Sequence, residues 1–237
     1  MNIEVLTLFP GMLEGFFENS IMKRAVENGI ISYSLIDWRP YAEDPHHKCD
    51  DVPYGGGAGM VLKPEPLGKA LEALNARSKR VIYMSPSGRQ FTQSYAQELS
   101  REENLVIICG HYEGLDQRII DLWVDDEISI GDYVISSGEV ACLAIVDAVY
   151  RLVPGVLAPE SLSEESFTGP FLEYPQYTRP QTYCEKTVPD VLLSGHHANI
   201  EQWRMQKRLE KTLSNRPELY DLSFLDDRAR RLLKKNY

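Results

Sequence analysis

Three glycine-bearing segments and two isolated charges are where this chain could do chemistry. Cys109-Gly110-His111-Tyr112-Glu113-Gly114 follows the apolar run Leu105–Cys109. Ser129-Ile130-Gly131-Asp132-Tyr133 repeats that arrangement within thirty-odd residues. Gly110 permits close backbone approach, and Glu113 can accept hydrogen bonds from ribose hydroxyls or an amine. Ligands in open α/β sheets bind beyond the carboxyl ends of strands. The two loops therefore read as two walls of one small-molecule pocket. The third segment, Tyr54–Gly59, holds four glycines. It is not the dinucleotide fingerprint, because Met60 and Leu62 stand where the last glycine is needed. It lacks the Gly-Lys-Ser/Thr ending of a P-loop. A tight structural turn accounts for it equally well.

The charges are Arg151 and Glu165. Arg151 closes an apolar helix just before Val153-Pro154-Gly155. A cation there suits the helix dipole, or it is a fixed guanidinium facing the pocket. Glu164-Glu165-Ser166 lies in a linker, and composition alone does not select Glu165 as a catalyst. His111 by itself reads as a structural residue more readily than as a catalyst. The adjacent pairs His46-His47 and His196-His197 do not converge on a metal, and Asp125-Asp126-Glu127 reads as a solvated run before a strand. None of the four cysteines forms a C-x-x-C pair, so no zinc site is expected.

The elements that must hold these residues alternate. Ile3–Phe9, Ile30–Trp38, Arg80–Met84, Leu105–Cys109 and Glu127–Ile130 read as strands. Residues 12–28, Pro64–Ala76, Thr92–Arg101, Gln117–Leu122 and Gly138–Leu152 read as helices. This implies an α/β domain with a largely parallel sheet and crossover connections. Gly138–Leu152 is apolar almost all round, hence buried. Residues 158–181 have no sustained period and read as a linker. From Val188 the chain turns helical, with Ile200, Trp203, Leu209 and Leu213 on one face and basic residues between them.

The hydrophobic content of 43% and charged content of 25% are ordinary for a globular protein. No apolar run approaches the roughly 18 residues of a membrane span. The N-terminus lacks a secretory pattern. Cys109 and Cys142 fall in apolar runs as buried thiols, which fits a reducing cytoplasm. The net charge of −10 argues against nucleic acid at face value. Its distribution does not: residues 198–237 carry 10 Lys/Arg against 6 Asp/Glu, where the whole chain carries 25 against 35. A basic tail on an acidic body suits a local polyanion contact; a solvated helical face is the alternative.

Six strings occur in order: DDVPYGGGAGM, CGHYEGLDQR, SIGDYVISSGE, VDAVYRLVPGVL, YTRP and VPDVLLSGHHANIEQWR. Together they closely resemble the bacterial tRNA (guanine-N1-)-methyltransferase family of the SPOUT class, and the resemblance covers essentially the whole chain. It implies a parallel sheet with a deep trefoil knot over residues 1–157, a linker over 158–172 and a small all-helical tRNA-binding domain over 173–237. It further implies a homodimer, no membrane and no DNA partner, and a cytoplasmic location. The implied reaction is methyl transfer from S-adenosylmethionine to N1 of guanine 37 in tRNA. The family also admits a Mg2+ requirement.

Carried onto this sequence, the donor pocket would comprise Tyr83, Met84, Ser85 and Pro86, then Gly110, Tyr112 and Glu113. The third set would be Ser129, Ile130, Gly131, Asp132, Tyr133, Val134, Ile135, Ser137 and Gly138. Asp50, Arg179, Ser194, Gly195, His197, Arg204, Lys207 and Arg208 would face tRNA. Guanine N1 carries a hydrogen at neutral pH, so a carboxylate must remove it. Charge then develops on O6, where a fixed cation is worth most. The family's arginine matches Arg151, and its base is an aspartate at the position of Glu165. Other departures are His111 for Arg, Ala58 for Pro, Gln176 for His and His196 for Asn. The glutamate motivates an alternative, an RNA-binding or assembly protein of the same fold with weak or no catalysis. A methyltransferase acting on a different RNA is the third reading.

Overall fold

The computed structural model describes residues 1–163 and 165–220. The described residues fall into two compact units that divide between Leu157 and Ala158.

In the first unit, five strands form one sheet: β1 (Asn2–Thr7), β2 (Ser32–Asp37), β5 (Arg80–Gln90), β6 (Asn104–Ile108) and β7 (Asp126–Ser129). Between β2 and β5, β3 (Asp50–Asp51) and β4 (Val61–Leu62) make a small antiparallel pair. The sheet order is β2-β1-β6-β5-β7, and every pairing in it is parallel. Both faces are apolar, as a parallel sheet requires. Ile3, Val5, Leu105 and Ile107 join one core cluster, with Leu13, Phe17, Cys142 and Ile145. Their chain neighbours Leu6, Val106 and Ile108 join the other, with Leu67, Leu71 and Ile119. The period of two thus divides each strand between two layers.

The helices follow from the same logic. They are α1 (Glu14–Phe17), α2 (Ser20–Glu27), α3 (Pro64–Ala73), α4 (Gln93–Leu99), α5 (Gln117–Trp123) and α6 (Gly138–Tyr150). The single helix expected over residues 12–28 is divided. The Asn19 side-chain amide donates to the Gly15 carbonyl at 2.7 Å, and Ser20 takes a φ of 57°. A side chain has taken the acceptor that a continuing helix needs. The long polar segment before Lys63 is also not bare loop, since β3 and β4 lie within it.

The strand expected to end at Met84 continues to Gln90 through an irregularity. Met84 and Arg89 both register with Ile128 of β7, so residues 85–88 loop out as a bulge. Arg80, at the start of β5, pairs with Asp126 through Nε and Nη2. Burial pushes the Asp126 carboxyl up, but hydrogen bonds from Arg80 and Tyr95 outweigh it and hold it below its ordinary value. Burial and the nearby Asp126 carboxylate push the Tyr95 phenol up to about 12.

The second unit holds α7 (Pro159–Ser163), α8 (Asp190–Leu193) and α9 (His197–Asn215). It is not all-helical as expected, because β8 (Thr182–Tyr183) and β9 (Lys186–Thr187) pair antiparallel around Cys184 and Glu185, both at positive φ. Part of the segment read as a linker docks on α9. Phe171 and Leu209 form a small core, flanked by Met205 and Tyr220. The Leu172 amide donates to Thr212 Oγ1 at 2.9 Å. Among the described residues no helix is long and apolar enough to cross a membrane.

Candidate active site

Because β6, β5 and β7 are neighbours, the segments leaving their carboxyl ends lie side by side. They enclose a cleft of about 290 Å³. The β5 wall is Tyr83 and Met84 with Ser85 and Pro86 of the bulge. The β6 wall is the Gly110–Gly114 loop. The β7 wall runs from Ile128 to Ala141 at the start of α6, with Asp132, Glu139 and Val140 outside the lining. Every donor-pocket residue expected from the sequence is brought to this cleft except Asp132. His111 and Gly114, part of the expected loop though not of the donor set carried over from the resemblance, join the lining, as do Ile128, Ser136 and Ala141.

Two glycines make the close approaches that shape it. The Gly138 amide donates to the Gly110 carbonyl at 2.8 Å. A Cβ on Gly138 would sit 2.5 Å from Gly110 N and 2.9 Å from Cys109 Cα. Only glycine lets α6 begin against the end of β6. Gly59 has a φ of +86° and lies against the Glu113 side chain, where a Cβ would come within 2.6 Å of Cγ. The Glu113 amide donates to the Met60 carbonyl at 3.0 Å, and the Leu62 amide to the Gly114 carbonyl at 2.9 Å. The glycine-rich segment 54–59 is therefore joined to the pocket loop through Glu113, which the sequence alone left undecided.

One polar atom in the cleft wall has no partner. Ser137, the N-cap of α6, makes no side-chain capping bond, and its buried Oγ finds no hydrogen-bond partner. A buried hydroxyl costs free energy unless something satisfies it. Ser137 belongs to the lining of an open cleft, a place that suits a polar ligand. Tyr83 is 6% exposed, and burial pushes its phenol up, which keeps it neutral. Behind the cleft, burial and the adjacent Cys142 push the Cys109 thiol well up, so it is an inert packing group. All four cysteines are free, with only Cys184 exposed.

Glu139 went unnoticed in the sequence. It is 0% exposed, and it accepts a hydrogen bond from Thr7 Oγ1 at 2.5 Å. Its other oxygen lies 2.7 Å from His111 Nε2. The available signal was a lone acid in the first turn of a helix otherwise apolar on that face.

The acceptor-side candidates lie elsewhere. Arg151 is the C-cap of α6. Glu165 opens a turn in the second unit, its carbonyl accepting from Thr168 Oγ1 at 2.6 Å, with Phe167 at a φ of 68°. Ser166 Oγ accepts from the Glu173 amide at 2.9 Å. Glu164 lies outside the described residues. Among the tRNA candidates, Asp50 is on β3, Arg179 precedes Pro180, and Ser194 and Gly195 follow α8. His197 begins α9. Arg204 and Arg208 lie over the Tyr174 ring at 4.7 and 5.2 Å, and Lys207 pairs with Glu210 at 2.6 Å. Among the described residues no three His, Cys, Asp or Glu side chains gather as metal ligands.

The sequence model described as tRNA (Guanine-1)-methyltransferase TrmD matches residues 1–222. The chain belongs to that family. A tRNA (guanine-N(1)-)-methyltransferase of Treponema denticola is 62% identical over 221 residues, 93% of this chain and 91% of the relative. The protein of that name in Borrelia duttonii is 59% identical over 231 residues, covering 97% and 96%. That of Treponema pallidum is 57% identical over 219 residues, covering 92% and 88%.

Proposed function

We propose that this protein transfers a methyl group from S-adenosylmethionine to N1 of guanine 37 in tRNA, acting in the cytoplasm as a homodimer. The observation that carries the reading is the cleft at the ends of β5, β6 and β7, with its unsatisfied Ser137 hydroxyl, in a chain of this family. Backbone groups of the three loops can read an adenine edge, and Ile128, Ile130 and Ala141 supply apolar surface for its faces. The family's trefoil knot is supported by the path of the chain after β7. It passes the end of β6 and returns as α6, whose first residue is bonded to Gly110.

Bound there, the donor supplies an electrophilic sulfonium methyl group. On this chain's side, the Glu165 carboxylate takes the proton from guanine N1 as the nitrogen acquires its new bond to carbon. The Arg151 guanidinium stabilises charge developing on O6. Glutamate places its carboxylate one C–C bond, about 1.5 Å, farther out than aspartate. A misplacement of ~1 Å costs about a hundredfold, so the turn that holds Glu165 must take up the difference. Arg179, His197 and the α9 side chains Arg204, Lys207 and Arg208 serve tRNA, with Asp50, Ser194 and Gly195. A Mg2+ requirement belongs to the same reading and is checked by chelation.

Single-turnover transfer of labelled methyl to a tRNA with guanines at positions 36 and 37 tests the proposal. Product at N1 of guanine 37 is expected. Tight tRNA binding without product would favour the weakly catalytic RNA-binding reading, for which the glutamate is the motive. Product on another RNA alone would redirect the substrate assignment.

A further inference from the structure

The strongest unassigned cluster lies behind the β6 wall of the cleft, where three distant segments meet through side chains. The Phe9 amide donates to Thr7 Oγ1 at 2.8 Å. Since Oγ1 already accepts that bond, its own proton goes to Glu139 Oε1. Glu139 Oε2 is then left for His111 Nε2. The imidazole is 11% exposed and the carboxylate fully buried. The Phe9 ring covers the imidazole, with centroids 4.8 Å apart.

A buried carboxylate is retained only where its partners are fixed, and here they tie the end of β1, the start of α6 and the β6 loop to one another. The next residue explains the need. Tyr112 has a φ of 56°, a left-handed conformation that a bulky residue holds only when its surroundings impose it. On its C-terminal side, the bonds of Glu113 to Met60 and of Gly114 to the His111 carbonyl hold the loop. On its N-terminal side, the His111 ring is the side-chain anchor.

We infer that Thr7, Glu139 and His111 form one positioning unit. It holds the Gly110–Gly114 loop in the conformation that binds the methyl donor, without touching the reacting atoms. The inference rests on the donor-site reading above and deepens it. Thr7 and Glu139 lie outside the cleft lining and His111 is part of its β6 wall; the three position the loop by fixing the residue before Tyr112 and Glu113.

The test uses the full chain with S-adenosylmethionine and tRNA. His111→Ala and Glu139→Gln should each raise the KM for S-adenosylmethionine about tenfold, the scale of one lost hydrogen bond to a charged group. The rate at saturating donor should stay within about threefold, since the chemical step keeps its groups. The double variant should be no worse than either single one, as expected of residues that act as a unit. His111→Arg keeps a donor toward Glu139 and should recover most of the affinity. His111→Phe keeps the ring contact with Phe9 and should not. Wild-type KM in His111→Phe, a fall in rate at unchanged KM, or multiplied effects in the double variant would overturn the inference. Should Glu139→Gln fail to fold, the Arg and Phe variants at His111 carry the comparison. Amide exchange at 110–114 in the ligand-free protein gives a second readout, expected to quicken in His111→Ala. If the wild-type protein binds no donor, the donor-site reading fails, while unchanged exchange in that variant counts against the anchor itself.

Discussion

Glu165→Gln keeps the side chain's shape and its hydrogen-bonding reach but removes the proton acceptor. Single-turnover methyl transfer by this variant should fall about a hundredfold or more, the usual worth of a general base. Arg151→Ala should cost a similar factor, about 10²–10³ in rate, as does loss of a donor to a developing oxyanion. Both should leave donor affinity near the wild-type value, measured by calorimetry. Full activity in Glu165→Gln would remove the assignment. At this scale the sequence was legible where chemistry is written locally. A strand followed by Gly-His-Tyr-Glu-Gly announces a pocket wall whatever the tertiary structure. It was not legible where one group needs partners from three segments. Glu139 makes sense only once Thr7 and His111 stand beside it, and no spacing rule joins positions 7, 111 and 139.

Elements bring these residues together by two devices, a bulge and a pair of apposed glycines. Gly138→Ala would force its Cβ into the Gly110 and Cys109 backbone, and such overpacking costs about 1–3 kcal/mol. The variant should melt earlier and bind the donor measurably less well. On the opposite end of β5, Asp126→Asn removes the charge that Arg80 faces. Arg80 is 31% exposed and Asp126 15%, so the loss at neutral pH should be about 1–2 kcal/mol rather than the full figure for a buried pair. The folded Asp126 carboxyl lies below its ordinary value. Its stabilisation is therefore present above the unfolded value of about 3.9 and lost as pH falls through the lowered folded value. Denaturation of parent and variant should converge in that acid window. The alternation of strands and helices was readable because burial on both sheet faces writes period two and period 3.6 directly. The continuation of β5 past Met84 was not, since Pro86 and Gly88 break the pattern and only pairing with β7 restores the strand. Nor was the break before Ser20, which depends on one side-chain hydrogen bond.

For the molecule as a whole, the charge asymmetry between residues 198–237 and the acidic remainder predicts a salt-dependent tRNA contact. Its basic residues beyond position 220 lie outside the described residues, and part of α9 is already engaged: Lys207 with Glu210 and Lys211 with the Glu173 carbonyl. Lys207→Gln should weaken tRNA binding modestly and reduce the slope of log affinity against log salt by up to about one unit, measured by filter binding across a salt series. An unchanged slope would assign Lys207 to the local ion pair alone. The cleft has its own whole-molecule consequence. All its lining residues belong to Met1–Leu157, and they meet only when α6 has returned to Gly110. A ligand that fits this cleft has nothing to hold in the unfolded chain. It therefore acts as a thermal reporter, adding about 2.7 kcal/mol at a hundred times its Kd, and a calorimetric scan would register whether the last glycine contact has closed.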